Sequence, residues 1–196
     1  MIEGWLRSDG RKGIRNVVAV AYLVECAHHV ARKIVDSIDH ADVHLIGFPG
    51  CYPNEYAART MAAVCTHQNV GGVVLISLGC ESFAREELAA TVRASGRACE
   101  LLVIQETGGT AATIAAGKAA VGRALAACAN VPRVEIRPDE LVVATICGGS
   151  DGTSGITANP AVGRVFDRLV QDGATCIFEE TGELIGCEQI MASRAA

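Results

Sequence analysis

The sequence lacks several features that would point to particular classes of protein. Its 196 residues contain no block of basic side chains, and the formal net charge is −5 at pH 7. That balance argues against nucleic acid as a main partner, because proteins that bind phosphate backbones carry clustered Lys and Arg. No apolar run approaches the ~20 residues of a membrane span, and residues 1–13 lack the apolar core of a signal peptide. We therefore expect a cytoplasmic protein with no membrane partner.

Cysteine is abundant, but the pattern that a disulfide scaffold requires is missing. The nine cysteines are odd in number, contain no CxxC pair and follow no secretory signal. Four fall inside predicted helices or strands and should pack as small buried hydrophobes: Cys65, Cys99, Cys128 and Cys176. Five fall in glycine-rich or loop contexts and are the candidates for chemistry: Cys26, Cys51, Cys80, Cys147 and Cys187.

Short apolar, β-branched runs alternate with helical patterns along the chain. Six runs are predicted as strands: residues 17–23, 43–48, 73–78, 101–105, 141–146 and 174–178. Helices between them favour a doubly wound, Rossmann-like α/β fold, with a mostly parallel sheet of about six strands and helices on both faces. We expect residues 1–15 to form a lead-in arm and residues 16–196 a single α/β domain. Within the arm, Arg11 or Arg15 either stays in solvent or folds back to bind a substrate carboxylate.

The stretch from Leu141 to Gly163 has the features of a binding site. Its strand ends at Cys147 and a glycine pair, and a polar loop leads to a helix for which Asn159 is the predicted N-cap and Pro160 the first residue. Glycines let a ligand approach the backbone, and a helix start offers N–H groups to an anion. The polar side chains that could hydrogen-bond a polyhydroxy or carboxylate ligand, or else only their own loop, are Ser150, Thr153, Ser154, Thr157 and Asn159.

Cysteines follow four of the predicted strands. Cys26, Cys51, Cys80 and Cys147 each come just past the carboxyl end of a strand. In an open parallel sheet those ends share one edge, where ligands bind. Thiolates from several loops suit a soft or borderline metal, such as iron, zinc or an iron–sulfur cluster. The alternative is that each of these small residues only fills a tight packing site.

Candidate acid–base groups accompany the cysteines. Glu81 follows Cys80 directly, and Glu180 follows the last predicted strand. His28 lies at the start of the helix after the first strand, where a histidine tends to lose its proton and can act as a base. The alternative for each carboxylate is a structural role, for example as a helix cap. The alternative for His28 is that its ring is only partly packed against its neighbours.

A second glycine pair precedes the longest predicted helix. Gly108, Gly109 and Thr110 follow the fourth strand and resemble an anion-binding nest. The segment is neither a GxGxxG motif nor a P-loop, so a nucleotide-binding function is disfavoured. We expect these residues, with Arg15, to contribute to binding an anionic small substrate.

Several motifs resemble those of one enzyme family, and the likeness covers essentially the whole chain. GWLRSDGRKGIRN looks like the G-Y-x-R-x-D-G-R-x-G-x-R-N opening of the large domain of the altronate/galactarate dehydratase family. ICGGSDGTSGITANPAVG is similar to its C-G-G-S-D-x-x-S-G-I-T-A-N-P signature, and SLGCE and EETGELIGCE resemble two further segments. FPGCYPN departs from the histidine-containing segment of the sugar-acid dehydratases and looks more like the related sulfolactate sulfo-lyase large subunit.

The resemblance implies a lyase that catalyses iron-dependent β-elimination. Water or sulfite would leave a small 2-hydroxy acid such as altronate, galactarate or sulfolactate. The implied cofactor is iron, as Fe²⁺ or an iron–sulfur cluster, and its implied ligands are Cys26, Cys51, Cys80 and Cys147. The implied base is Glu180 or Glu81, and the implied substrate loop contains Ser150, Asp151, Thr157 and Asn159.

The resemblance also bears on the extent of the protein. Family members are longer, so the chain resembles the N-terminal portion of the large domain and is expected to be an inactive fragment of a longer lyase chain. A homo-oligomer and a small partner subunit or domain are expected, because the family's small β-rich module has no counterpart in these residues. The alternative is a non-catalytic α/β binding or dimerisation domain of such an enzyme, in which the cysteines only pack.

Overall fold

The computed structural model describes residues 2–149 and 151–194, except for the side chain of Glu183. Contacts within the chain divide it into two compact units, each described here by itself. The N-terminal unit comprises residues 3–135, and the C-terminal unit comprises residues 136–196 together with residues 1–2. The predicted substrate-loop residue Ser150 lies outside the described residues.

Helices and strands alternate through most of the chain. Up to residue 136 the elements are β1 (Ile2–Leu6), β2 (Lys12–Gly13), β3 (Val17–Tyr22), α1 (Glu25–Asp36), β4 (Val43–Gly47), α2 (Glu55–Cys65), β5 (Val70–Ser77), α3 (Arg85–Ala94), β6 (Ala98–Val103), α4 (Ile104–Thr107), α5 (Thr110–Ala129) and β7 (Arg133–Ile136). Beyond residue 136 they are a 3₁₀ helix (Pro138–Glu140), β8 (Val142–Thr145), α6 (Ala158–Gln171), β9 (Thr175–Phe178), a second 3₁₀ helix (Thr181–Leu184) and α7 (Glu188–Arg194). The six predicted strands are all present, with their ends shifted by a few residues.

A four-stranded parallel sheet forms the centre of the N-terminal unit. Its strand order is β4-β3-β5-β6, and all three pairings are parallel. All eight residues of β5 are buried, as expected for a strand whose unbroken apolar pattern is covered on both faces. The chain changes direction across the sheet between β3 and β5, which makes the gap between their carboxyl ends a topological switch point.

Helices cover both faces of this sheet. On one face, Val18 and Ile76 belong to an apolar cluster with residues of α1 and α5. On the other, Ala21 and Leu75 belong to a cluster with residues of α2 and α3. Alternate side chains of one strand therefore enter different cores, as the period of a β-strand requires. The predicted α/β architecture, with helices on both sides of a parallel sheet, is confirmed for this unit.

The sheet is smaller than the predicted sheet of about six strands. In the described residues, β8 and β9 pair in parallel with each other as a separate two-stranded sheet. The strands β2-β1-β7 form a third sheet, in which β1 and β2 are antiparallel. The sheet differs from the prediction because an apolar run identifies a strand, whereas contacts between residues far apart in sequence determine which strands pair.

The third sheet lies in segments for which no strand is predicted from the sequence. The predicted lead-in arm, residues 1–15, contains β1 and β2, and the stretch before the predicted strand at residues 141–146 contains β7. These strands are short and carry charged residues, so their pattern does not separate them from loops. None of the helices in the described ranges combines the length and apolar character needed to span a bilayer.

Candidate functional site

Three of the predicted iron ligands lie at the carboxyl edge of the four-stranded sheet. Cys26 is the second residue of α1 and follows β3, Cys51 follows β4, and Cys80 follows β5. All three side chains are exposed. Because β3 and β5 flank the switch point, Cys26 and Cys80 belong to the two segments that border it.

Two backbone hydrogen bonds hold these cysteine loops together. The amide of Glu25, next to Cys26, donates to the carbonyl of Pro49 with an N···O distance of 3.1 Å. The amide of Ser82 donates to the carbonyl of Cys51 at 2.9 Å. Nowhere in the described residues do three or more His, Cys, Asp or Glu side chains form a group that could hold a metal ion. The thiols thus share an edge without forming a pre-assembled metal centre.

Glu81 holds the turn that carries Cys80. Its carboxylate is buried, accepts a hydrogen bond from the Ser77 hydroxyl and accepts another from the Gly79 amide at 2.8 Å. Burial raises the pKa of Glu81, but the hydrogen bonds from Ser77 and Gly79 and the charge of Arg85 outweigh it and leave the pKa below its ordinary value. Both oxygens are engaged, which favours a positioning role for Glu81 over the role of base.

His28 is tied to the start of α1 through both ring nitrogens. Its Nδ1 lies 3.0 Å from Oε1 of Glu25, and its Nε2 accepts a hydrogen bond from Arg32 at 3.3 Å. A neutral ring that accepts at Nε2 carries its proton on Nδ1, so it donates to Glu25. The ring also stacks on Tyr22, with centroids 4.8 Å apart. The described contacts therefore anchor His28 two residues away from Cys26.

The predicted anion nest lies after β6, at the same edge. Gly108 ends α4 with φ +103°, and Gly109 precedes α5 with φ +88°. The Gly109 amide donates to the Ile104 carbonyl at 2.9 Å, and the Gly109 carbonyl accepts from the Thr113 hydroxyl at 2.8 Å. The Gly109 amide is therefore already hydrogen-bonded within the turn. The amides that a helix start leaves without intrahelical partners begin at Thr110.

Arg15 lies at the opposite edge of the sheet. It comes just before β3 and forms an ion pair with Asp42, which comes just before β4, at 2.9 Å. Its backbone amide donates to the side chain of Asn69 at 3.2 Å. Since the amino ends of parallel strands share one edge, the structure does not bring Arg15 together with the cysteines at the carboxyl edge.

The C-terminal unit contains a cavity of about 710 Å³, here called the C-terminal cavity, which several of the predicted site residues line. Its volume lies within the range of about 300–1,000 Å³ that is typical of small-ligand sites. The predicted site residues that line it are Cys147, Asp151, Asn159 and Glu180. Thr157 is not among the lining residues.

Asp151 and Thr157 order the loop of the C-terminal cavity. Oδ1 of Asp151 accepts from the Thr153 amide and hydroxyl, both at 2.6 Å, and from the Ser154 amide at 3.0 Å. The hydrogen bond from the Thr153 hydroxyl, followed by those from the two amides, lowers the pKa of Asp151. The Thr157 hydroxyl donates to the Thr153 carbonyl at 2.7 Å. In the structure, both side chains therefore hydrogen-bond within their own loop, which was the alternative to binding a ligand.

Helix α6 begins two residues earlier than predicted. Its N-cap is Thr157, so Asn159 and Pro160 are the second and third residues of the helix. Proline is tolerated there because the first helical amides have no intrahelical acceptor. The Asn159 side chain is therefore not an N-cap, and Asn159 lines the C-terminal cavity.

Glu180 has an unusual backbone conformation. Among the described residues it is the one non-glycine residue with positive φ, at φ 61° and ψ 53°. The left-handed region costs an ordinary residue about 1–2 kcal/mol, and such strain concentrates at functional sites. The neighbouring Glu179 amide donates to the Thr145 carbonyl at 3.2 Å and fixes the end of β9 against β8. Backbone strain at a residue that lines the cavity favours a functional role for Glu180.

The apolar wall of the C-terminal cavity is absent from the sequence-based predictions. Its members include Val162, Phe166, Phe178, Leu184 and Met191. One signal for part of it is present in the sequence, because Val162 and Phe166 are spaced four apart and so share one face of a helix. The wall gives the site the combination of apolar surface and a few polar groups that small-ligand pockets show.

The exposure of the cysteines follows the sequence-based prediction in part. The five candidates for chemistry are exposed, and of the four predicted to be buried Cys65 and Cys128 are buried, whereas Cys99 and Cys176 are only partly buried. Burial raises the pKa of Cys65 to about 12 and that of Cys99 to about 11. We expect an aromatic disulfide reagent to label the five exposed thiols first, because thiolate content and access set the rate. Mass mapping of the labelled peptides checks this, and labelling of native Cys65 at the rate of Cys51 would contradict it.

Comparison with protein families matches both parts of the chain. Residues 4–129 match the family described as "D-galactarate dehydratase/Altronate hydrolase, second domain". Residues 138–196 match "D-galactarate/Altronate dehydratase, C-terminal". The two matched ranges follow the two structural units closely.

Curated relatives carry names of the same kind. An altronate dehydratase of Bacillus subtilis is 30% identical over 208 residues, covering 99% of this chain and 41% of the relative. The (2R)-sulfolactate sulfo-lyase subunit beta of Chromohalobacter salexigens is 32% identical, covering 98% and 50%. An altronate dehydratase of Escherichia coli is 28% identical, covering 97% and 41%. The chain thus spans half the length of these relatives or less, and it belongs to the D-galactarate dehydratase/altronate hydrolase family.

Proposed function

We propose that the chain carries the substrate-binding and proton-transfer part of a lyase that acts on a small 2-hydroxy acid. Altronate, galactarate and sulfolactate are the candidate substrates, with water or sulfite as the leaving group. The observation that carries the proposal is the C-terminal cavity, which is lined by the carboxylate of Glu180, the amide of Asn159 and the thiol of Cys147. Family membership, and relatives named as dehydratases and a sulfo-lyase subunit, support the reaction class.

In the proposed reaction Glu180 accepts the proton from C2 of the substrate. The electron pair of the broken C2–H bond is first held on C2 and the neighbouring carboxylate as an enolate. It then forms a C2=C3 double bond as the bond from C3 to its leaving group breaks. The group departs as hydroxide, which is protonated to water, or as sulfite. The resulting enol then tautomerises to a 2-keto acid. A carboxylate within hydrogen-bond reach of the acidic carbon is a suitable general base.

Other residues of the C-terminal cavity position the substrate. The Asn159 amide can donate to a substrate carboxylate or hydroxyl oxygen and accept from a hydroxyl group. The space next to Gly148 and Gly149 is open, since a Cβ at either position would meet nothing within 4 Å. Phe166 and Phe178 supply an apolar wall that displaces water from the bound acid.

We also propose that the N-terminal unit binds iron through Cys26, Cys51 and Cys80. Exposed thiols on loops joined by hydrogen bonds are soft donors of the kind that iron accepts. The described thiols are not drawn together into a metal-binding group, so no step of the reaction is assigned to the metal. When bound, iron supplies Lewis acidity toward carboxylate and hydroxyl oxygens.

The working enzyme is proposed to be larger than this chain. The chain aligns with only 41% and 50% of the length of two curated relatives, and one of these is named as subunit beta. The C-terminal unit also exposes large apolar side chains, with Ile156 77% and Ile185 82% accessible. Both observations support a homo-oligomer with a small partner subunit or domain.

Direct binding of the candidate acids tests the proposal. Calorimetry under anaerobic conditions, with and without added Fe²⁺, measures the Kd of altronate, galactarate and sulfolactate. We expect one acid to bind with a Kd in the range of about 1 μM to 1 mM that is typical of metabolic substrates. Substitution Asn159→Leu should weaken that acid about tenfold, because a buried polar contact is worth about 1 kcal/mol or more.

A matched control is available on the same helix. Gln171→Leu removes an exposed side-chain amide at the end of α6, away from the residues that line the cavity, and should leave the Kd unchanged. Equal Kd values for the wild type and Asn159→Leu would refute the proposed site. Absence of binding by all three acids would favour the alternative of a non-catalytic domain.

A further inference from the structure

Two buried arginines of the N-terminal unit take no part in the proposed lyase site. Arg7 lies just after β1, and Arg97 lies just before β6. Each residue is only 5% accessible to solvent. Charged side chains are seldom buried unless an opposite charge accompanies them, so the surroundings of both guanidinium groups determine their role.

Arg7 is bonded only to neutral oxygens. Its Nε donates to the carbonyl of Gln68 at 2.7 Å, Nη1 donates to the side chain of Asn16 at 2.8 Å, and Nη2 donates to the carbonyl of Arg15 at 3.0 Å. A guanidinium has five N–H donors, so these three bonds leave capacity for a further acceptor. None of the three acceptors carries a negative charge.

Arg97 has the same kind of environment. It donates to the carbonyls of Val70 at 2.9 Å, Ser95 at 3.2 Å and His67 at 3.1 Å. These acceptors are also neutral, and the bonds again use three of the five N–H donors. Burial, then the proximity of Arg97, lowers the pKa of Arg7, which is consistent with two positive charges in one region.

The nearest carboxylate is already engaged. Oδ2 of Asp9 lies 3.8 Å from Nη1 of Arg97 but only 2.7 Å from Nη2 of Arg11. Nε of Arg11 also donates to the same oxygen at 3.0 Å. Asp9 is therefore chelated by Arg11 and gives Arg97 a long contact only. The two buried cations outnumber the negative charge that faces them, which is costly without a further anion.

A cavity of about 330 Å³ lies between the two arginines, and it is called the arginine cavity here. Arg7 and Arg97 both line it, together with Ser8, Gly96 and Asn130. All of these residues belong to the N-terminal unit. The volume accommodates an ion of the size of phosphate or sulfate with several waters, since one water occupies about 30 Å³.

We propose that the arginine cavity binds a compact tetrahedral oxyanion, phosphate or sulfate, bridged by Arg7 and Arg97. Guanidinium groups recognise such anions through several charge-assisted hydrogen bonds at once. The bound ion would neutralise both buried charges and join the turn after β1 to the start of β6. It would therefore stabilise the N-terminal unit through a ligand that has no part in the elimination reaction.

The test compares phosphate, sulfate, acetate and chloride at constant ionic strength. Thermal unfolding and calorimetry of the chain should show saturable binding of phosphate or sulfate, with a Tm that rises with ligand concentration. Chloride and acetate should produce no comparable saturable shift. A response to acetate alone, or no saturable response to phosphate or sulfate, would overturn the proposal.

Two charge-matched variants locate the site without substituting either arginine. Ala127 is an exposed residue of α5 that lines the arginine cavity, whereas the adjacent exposed Ala126 does not line it. Ala127→Glu places a competing carboxylate at the cavity and should weaken phosphate or sulfate about tenfold or more. Ala126→Glu adds the same charge outside the cavity and should bind as the wild type does. Equal weakening in both variants would show a general charge effect and reject the site.

Discussion

Substitution of Glu180 with glutamine should slow removal of the C2 proton from a bound hydroxy acid by about 100- to 10,000-fold. Glutamine keeps the size of the side chain and its place at the C-terminal cavity, but it cannot accept the proton. The measurement is deuterium exchange at C2 in D₂O, followed by proton NMR on the chain with its bound acid and added Fe²⁺. Exchange reports proton transfer alone, so it does not require the leaving group to depart.

The neighbouring carboxylate provides the control for this prediction. Glu179 also lines the C-terminal cavity and precedes Glu180 in the chain. Glu179→Gln removes the same charge, so a general electrostatic effect would slow exchange in both variants alike. Selective loss in Glu180→Gln, with the Kd of the acid retained, identifies Glu180 as the base. Wild-type exchange in Glu180→Gln would remove it from that role.

Substitution of Glu81 with glutamine should lower the free energy of unfolding by about 2–4 kcal/mol, because hydrogen bonds to a charged group are worth about 1.5–3 kcal/mol each. The buried carboxylate accepts from both the Ser77 hydroxyl and the Gly79 amide. A glutamine side chain replaces one acceptor with a donor, so it opposes one of these two groups. Urea unfolding followed by circular dichroism measures the change.

The same variant separates a positioning role from a purely structural one. Glu81 fixes the turn before Cys80, so Glu81→Gln should also change the rate at which Cys80 is labelled relative to exposed Cys51. Glu87→Gln, at an exposed position of α3, is the control and should change stability by less than about 0.5 kcal/mol. A Glu81→Gln variant as stable as this control would contradict the role assigned to the buried carboxylate.

Local patterns in the sequence predict the elements of the N-terminal unit well. The apolar run of β5 and its complete burial agree, because a strand covered on both faces needs no polar alternation. Asn54, a residue type that favours the start of a helix, is the N-cap of α2, and its side chain accepts from the Ala57 amide at 2.8 Å. The exposure of the five candidate cysteines is predicted from their glycine-rich or loop contexts. All of these features depend on residues close together in sequence.

Features that depend on distant residues are not predicted. To predict that β8 pairs with β9 in a separate sheet, one must know which strands meet. The apolar pattern of a strand does not show this, because it is the same for any partner. The left-handed backbone of Glu180 also has no local signal, because that conformation usually belongs to glycine. Arg7 belongs to the predicted lead-in arm, yet it is buried and donates to the carbonyl of Gln68, which lies 61 residues further along the chain.

The division of the chain near residue 135 bears on its synthesis. Every member of the two apolar clusters that flank the four-stranded sheet lies before residue 129. A ribosome therefore completes all of that core before it makes residue 136, where the main part of the C-terminal unit begins. Because domains generally fold as units, N-terminal first, during translation, the N-terminal unit can fold once its core has left the ribosome, while the last residues of the C-terminal unit are still being added. Slow translation of the last residues of the chain would then lengthen the time in which the N-terminal unit can fold by itself.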